Sequence, residues 1–166
     1  MKLKSLFAIL LITLGAGGIA GLLTADSMQK YQEIYHPPLS PPGWVFPIAW
    51  TILYVLMAVA AYLVYTTEPK KGQGGESADL RREKREAGKL YFAQLFVNVV
   101  WPLLFFGLDA YLLAAVWILL LWYLIFLTTE KFYSINQTAG KLMIPYLVWV
   151  TYAAYLNIAI AVYTYF

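Results

Sequence analysis

The chain has 166 residues, 61% hydrophobic and only 13% charged, with a net charge of +3 and a mean hydropathy of +0.64. A soluble domain carries about 25% charged residues, and a chain this apolar cannot cover itself with polar surface, so it needs lipid as solvent. No cysteine and a single histidine exclude disulfides, thiol nucleophiles, zinc–thiolate and iron–sulfur sites and any His-rich metal centre.

Charges divide the sequence into apolar runs, each about as long as the roughly 20 helical residues that one bilayer crossing takes. The first is Ser5–Ala25. Lys2 and Lys4 before it resemble a signal peptide, but the run is long for one and no clean A-x-A site follows, so it is read as a span. Gly17 and Gly21 inside it give a spacing that lets another helix approach closely.

Next comes a proline-rich segment, His36–Pro37–Pro38–Leu39–Ser40–Pro41–Pro42–Gly43–Trp44. It cannot be helical and resists bending. It reads either as a stiff connector or as a lid over the mouth of a bundle. Trp44 fits the interfacial belt. A lone loop histidine such as His36 is more often not a ligand, and no metal site is assigned.

The second span follows to Thr67. Gly72–Gln73–Gly74–Gly75 has the composition of a flexible linker. Ser77–Ala78–Asp79 reads as a helix start, with a capping serine and an acid in the first turn. The alternating charges of Leu80–Lys89 then carry the third span out of the membrane as a charged helix. That helix is either a solvated face or a contact for anionic lipid headgroups; five acids between Glu68 and Glu86 weaken the second reading. A single helix over Leu90–Thr129 would be about 60 Å long, twice the hydrocarbon thickness. Gly107–Leu108–Asp109 is therefore a turn between two spans, and Leu142–Phe166 supplies the fifth.

The expected fold is an all-α integral membrane protein, one domain over 1–166. It is a bundle of five transmembrane helices near 5–25, 43–67, 84–107, 110–130 and 140–163. Eleven of the 12 Lys and Arg residues fall on one side of this topology, and only Lys30 on the other. The N-terminus and the 68–89 loop are thus expected in the cytoplasm and the C-terminus outside.

Polar groups within spans are few. Gln94, Asn98 and Trp101 share a face of span three, continued by Phe105, and Asn157 lies deep in span five. They either fasten helices together, at roughly 0.6–2 kcal/mol per bond, or face a ligand. Trp50 and Tyr54 on span two, and Tyr146, Trp149 and Ala153 on span five, form further aromatic faces. Inward tryptophans either pack or line a flat apolar cavity. Paired intramembrane carboxylates, phosphate loops, metalloprotease motifs and Ser–His–Asp sets are all missing from the sequence. The absence of charged residues within the spans and of an internal repeat argues against ion-coupled and inverted-repeat transporters.

Three blocks make the chain recognisable. They are Pro41–Pro42–Gly43–Trp44–Val45–Phe46 continuing through Trp50–Thr51 to Tyr54; Gln94–Leu95 with Asn98, Trp101–Pro102 and Phe105–Phe106–Gly107; and Pro145–Tyr146–Leu147 with Trp149, Ala153 and Leu156–Asn157. Together they resemble the TspO/MBR family, the tryptophan-rich sensory proteins that include the mitochondrial translocator protein, also called the peripheral benzodiazepine receptor. The resemblance implies a receptor or carrier that binds porphyrins (protoporphyrin IX, haem) and also sterol-like and benzodiazepine-type ligands. The ligand-binding residues it implies are Trp50, Tyr54, Asn98, Trp101, Trp149, Ala153 and Leu156. Pro37, Pro38, Pro41, Pro42 and Trp44 would form the lid loop.

An alternative role is light-dependent oxidative breakdown of the porphyrin, with Trp50 and Trp149 as its catalytic residues. A third is a structural bundle without a ligand. No cofactor is required; the porphyrin or haem is the ligand. The partners expected are membrane lipid, porphyrin-type molecules and a second copy in a homodimer, not nucleic acid. The sequence departs from the family at Pro38–Leu39, where a lid tryptophan is missing, and in a longer Lys70–Lys89 loop. The family's sterol pattern at the end of span five is also absent, although Leu63–Val64–Tyr65 with Lys70 fits that pattern elsewhere.

Overall fold

A computed structural model describes residues 2–24, 35–68 and 78–166. The described residues hold five long helices: α1 (Lys2–Leu23), α2 (Val45–Thr66), α3 (Ala78–Pro102, continued by a wider π-helical turn at Leu103–Gly107), α4 (Tyr111–Ile135) and α5 (Gln137–Tyr165). All five are long and apolar enough to cross a membrane. The five-helix bundle anticipated from the charge pattern is therefore the observed fold. The Gly72–Gly75 linker, the Ser77 cap, Lys30 and Lys70 lie outside the described residues.

The third helix starts at Ala78, where the sequence reads a helix start, and Arg82 and Glu86, one turn apart, pair at 3.1 Å on the solvated segment. Glu86 also binds Lys131 of α4 at 2.9 Å, which fastens the charged end of α3 to its neighbour. The start of the fifth helix differs from that expected, at Gln137 rather than near 140. A single extended residue, Asn136, separates α4 from α5. Its Oδ1 accepts from the Ala139 amide at 3.1 Å as an N-cap, and its Nδ2 donates to Thr67 at the end of α2.

So abrupt a reversal brings α4 and α5 very close. A β-carbon on Gly140 would lie 2.4 to 2.8 Å from the Tyr133 Cβ, Cα and N, so only glycine fits there.

The other expected turn is also present. Pro102 lacks the amide that would continue the α-helical ladder. The helix widens after it, with Leu108 N bonded to Leu103 O and Ala110 N to Leu104 O, both at 3.0 Å. Asp109 takes a left-handed conformation with φ of 52°, one that aspartate tolerates better than most residues.

Around the bundle the helices run α1, α2, α5, α4, α3, and the contact of α3 with α1 closes the ring lightly. Helix α1 is the least embedded: of its described length only Thr13 and Ala20, with Thr24 just beyond, are buried. One close contact fixes it to α2. A β-carbon on Gly17 would fall 2.2 to 2.7 Å from the Tyr54 ring. The glycine spacing of span one thus serves a helix of the same chain, while a β-carbon on Gly21 would meet nothing.

Three substitutions follow. Gly17→Leu should lower the thermal midpoint of the detergent-purified protein, at the overpacking cost of about 1–3 kcal/mol, whereas Gly21→Ala should leave it near wild type. Gly140→Val should be the most damaging of the three, because backbone atoms cannot yield as a ring edge can. A Gly140→Val variant that melts like wild type would contradict the described α4–α5 approach.

Candidate functional site: an aromatic cavity above a buried polar layer

The polar residues of the spans meet in one layer at mid-height. Tyr54 of α2 donates its hydroxyl to Asn98 Oδ1 at 2.5 Å. Asn98 Nδ2 donates to the Tyr146 hydroxyl of α5 at 2.6 Å, and Tyr146 donates onward to Gln94 Oε1 at 3.0 Å. The two amides project from consecutive turns of α3, as their i, i+4 spacing requires. Nearer the Asp109 turn, Trp101 Nε1 donates to Asn157 Oδ1 at 3.0 Å, and Asn157 Nδ2 to the Tyr111 carbonyl at 2.9 Å. Gln94, Asn98 and Asn157 all bridge helices, and Asn98 also reaches the cavity wall. Thr13 of α1 and Tyr91 of α3 complete the layer at 2.6 Å.

A cavity of about 340 Å³ lies beside this layer, between α1, α2 and α3. Its volume is at the lower end of the roughly 300–1,000 Å³ range of small-molecule sites. Trp50 and Tyr54 form one wall, with ring centroids 5.7 Å apart, and Phe46, Trp101 and Phe106 line further parts of it. Gly17, Gly18 and Gly21 of α1 also line it, Gly17 where α1 packs against the Tyr54 ring. Asn98 reaches the wall, but both ends of its amide are held by tyrosines. The cavity is therefore apolar and aromatic, with little free hydrogen-bonding capacity. The glycine spacing was visible in the sequence, yet only the fold reveals that these glycines line a cavity.

Four of the seven expected ligand residues, Trp50, Tyr54, Asn98 and Trp101, meet on this cavity. Trp149, Ala153 and Leu156 do not line it. Ala153 and Leu156 face a cleft of only about 10 Å³ behind Phe46 and Trp101. Trp149 is half-buried, edge-on to Phe46 at 6.2 Å, and its Nε1 has no hydrogen-bond partner among the described residues. Phe46 thus separates Trp149 from the cavity.

The described part of the proline-rich loop is held on α5. Pro37–Ser40 form a tight turn, with Ser40 N bonded to Pro37 O at 3.1 Å. Leu39 occupies its left-handed position with φ of 71°, where glycine is usual. Two tyrosines of α5 hold that turn: Tyr152 donates to the Leu39 carbonyl and Tyr155 to that of Pro38. Pro37, Pro38, Pro41, Pro42 and Trp44 contribute no wall to the cavity. Trp44 is 68% exposed, as a belt residue would be.

The TspO/MBR family model matches residues 8–163. The chain belongs to the TspO/MBR family. It is 37% identical over 131 residues to the tryptophan-rich protein TspO of Chlorobaculum tepidum, covering 78% of this chain and 76% of that one. It is 35% identical over 153 residues to the tryptophan-rich sensory protein of Cereibacter sphaeroides, covering 92% and 87%. The human translocator protein is 32% identical over 133 residues, covering 80% and 73%. Membership of the TspO/MBR family, together with the five helices, makes this an integral multi-pass membrane protein.

The polar layer gives a direct test. Asn98→Leu removes the acceptor of the buried Tyr54 hydroxyl, which should cost about 1–3 kcal/mol. Adding Tyr54→Phe removes the orphaned group as well and should restore part of the lost melting temperature. Additive losses in the double variant would mean that these side chains do not interact.

Proposed function

We propose that this TspO/MBR protein is a membrane receptor or carrier for porphyrin-type ligands, and that the ligand enters the α1–α2–α3 cavity. The observation that carries the reading is an apolar cavity lined by the aromatic rings of Phe46, Trp50, Tyr54, Trp101 and Phe106. Walls of that kind suit a flat, apolar ring, at roughly 0.5–1.5 kcal/mol per aromatic contact beyond area burial. Porphyrin carboxylates would remain towards the end carrying Thr24 and Pro47, because they resist the hydrocarbon core. Sterol-like and benzodiazepine-type molecules are further ligands by family resemblance, and the same apolar walls would take them.

Phenylalanine is the informative replacement here, since alanine would also open a hole. Trp50→Phe should weaken protoporphyrin IX binding, read by absorbance titration, and leave melting close to wild type. Trp149→Phe should weaken it less, because Phe46 stands between that indole and the cavity. Unchanged affinity in a folded Trp50→Phe, Trp149→Phe double variant would remove this site.

Light-driven oxidative breakdown of the bound porphyrin is the second reading, favoured by the position of the oxidisable Trp50 indole on the cavity wall. It would need light and oxygen, and it separates from simple binding by product analysis after illumination. Trp50→Phe should then slow breakdown more than it weakens binding.

We further propose that the N-terminus and the 68–89 loop face the cytoplasm, on the strength of the basic residues gathered at that end. Ser134, exposed in the last turn of α4, lies on the same side. In this cysteine-free chain, Ser134→Cys should resist an impermeant thiol reagent in intact cells and react after lysis; labelling before lysis would reverse the orientation. A homodimer remains part of the proposal, with an interface away from Gly17, whose face α2 already occupies.

A further inference from the structure

A second cavity, of about 360 Å³, lies between α1, α2 and α3 on the far side of the polar layer from the first. Along α1 it runs from Ser5 to Thr13, about 12 Å at the helical rise per residue. Its walls are apolar, from Ile9 and Ile12 on α1, Val64 on α2 and Phe92 on α3, and Lys84 of α3 stands among them. It borders the lightly packed α1–α3 contact, where α1 turns Leu3, Phe7 and Leu11 outward.

Charge is segregated on α3 above this cavity. At about 100° per residue, Arg81, Lys84, Arg85 and Gly88 fall within about 100° of arc. That arc continues into Tyr91 and Phe92 on the cavity wall. Asp79, Glu83 and Glu86 fall on the opposite side of the helix by the same geometry. Glu86 is turned towards α4, where it binds Lys131 at 2.9 Å. Three of the five acids that weakened an anionic-lipid reading of the sequence, Asp79, Glu83 and Glu86, therefore lie away from the cavity. On α1, Lys4 precedes Ala8 of the cavity wall by one turn.

We propose that this cavity is a binding site for an anionic glycerophospholipid of the surrounding bilayer. One acyl chain lies in the apolar slot down to the Thr13–Tyr91 hydrogen bond. The phosphate sits at the rim against Lys84, with Arg81 and Arg85 beside it. A chain in the slot fills the gap that the light α1–α3 packing leaves, so the bound lipid ties α1 to the bundle.

The test uses the full chain in detergent and native mass spectrometry. The probes are phosphatidylglycerol and phosphatidylcholine with identical acyl chains. Wild type should retain phosphatidylglycerol preferentially, by about fivefold for each cation that contacts the headgroup. Lys84→Gln should reduce that preference by about the same factor, while Arg82→Gln, on the Glu86 side of α3, should leave it intact. A β-carbon on Gly88 would meet nothing within 4 Å, so Gly88→Leu has room to fill the slot and should abolish retention of either lipid. Should Gly88→Leu fail to fold, Ala8→Phe fills the slot from the α1 wall and should give the same loss. Equal retention of the two lipids by wild type would overturn the proposal. So would undiminished retention in a folded slot-filling variant, or a preference untouched by Lys84→Gln.

Discussion

A hydrogen-bonding group in hydrocarbon has no water to fall back on, and the central polar residues of this bundle largely meet that condition, with Gln94 Nε2 and Trp149 Nε1 left without a partner among the described residues. Gln94, Asn98, Tyr54 and Tyr146 bring amide and phenol groups from three helices into one chain of hydrogen bonds. Each bond between spans is worth only roughly 0.6–2 kcal/mol, because the separated helices would also find partners. Their larger effect is on register. An amide that must meet a tyrosine on each side cannot slide by a residue along α3, so α2, α3 and α5 share one vertical alignment. The aromatic residues above the layer then fall at fixed heights, and the Trp50–Tyr54 wall is a consequence.

Close contacts set the remaining geometry. Gly140 lets α5 reverse against α4 after one extended residue, and Asn136 satisfies the freed amides while reaching α2. Three helices are thereby held near one end by a single asparagine. At the other end, Pro102 and Asp109 widen and then turn α3 into α4, while Tyr152 and Tyr155 pin the proline turn to α5. Helices α2 to α5 form a closed, well-tied group. Helix α1 has one close glycine contact and the Thr13–Tyr91 hydrogen bond, and both cavities border it.

Much of this was legible in the sequence because membrane physics leaves few alternatives. The charge-free runs gave the helices, and the length argument located the turn at Asp109, since no bilayer could hold a helix of 40 residues end to end. The i, i+4 spacing of Gln94 and Asn98 put them on one face. Their partners were not legible, because nothing in a linear spacing says that Tyr54 and Tyr146 reach the same amide from opposite sides. The glycine run allowed a close approach to α1 without requiring one or saying by what. Self-association and a neighbouring helix of the same chain leave the same pattern, and only the ring order of the bundle selects α2. Trp149 illustrates the reverse limit: its sequence position matches a ligand residue, yet Phe46, from the block that also supplies Trp50, stands in front of it.

The polar layer also bears on the difference between a receptor and a carrier. The first cavity is lined by α1 from Leu14 onward and the second by α1 up to Thr13, so the two meet at the layer without joining. A ligand crossing from one to the other would have to pass Tyr54, Asn98 and the Thr13–Tyr91 pair. Breaking the buried bonds of α2, α3 and α5 would leave several polar groups unsatisfied at once, at about 1–3 kcal/mol each. Movement of α1 away from α3 would break the Thr13–Tyr91 hydrogen bond. Any passage through the protein would therefore run along the inner face of α1, past the glycines, as α1 separates from α3. A receptor that only holds its ligand needs no such movement. In the proposed reading the two roles differ in how tightly α1 is held against α3, the lightest contact that closes the ring.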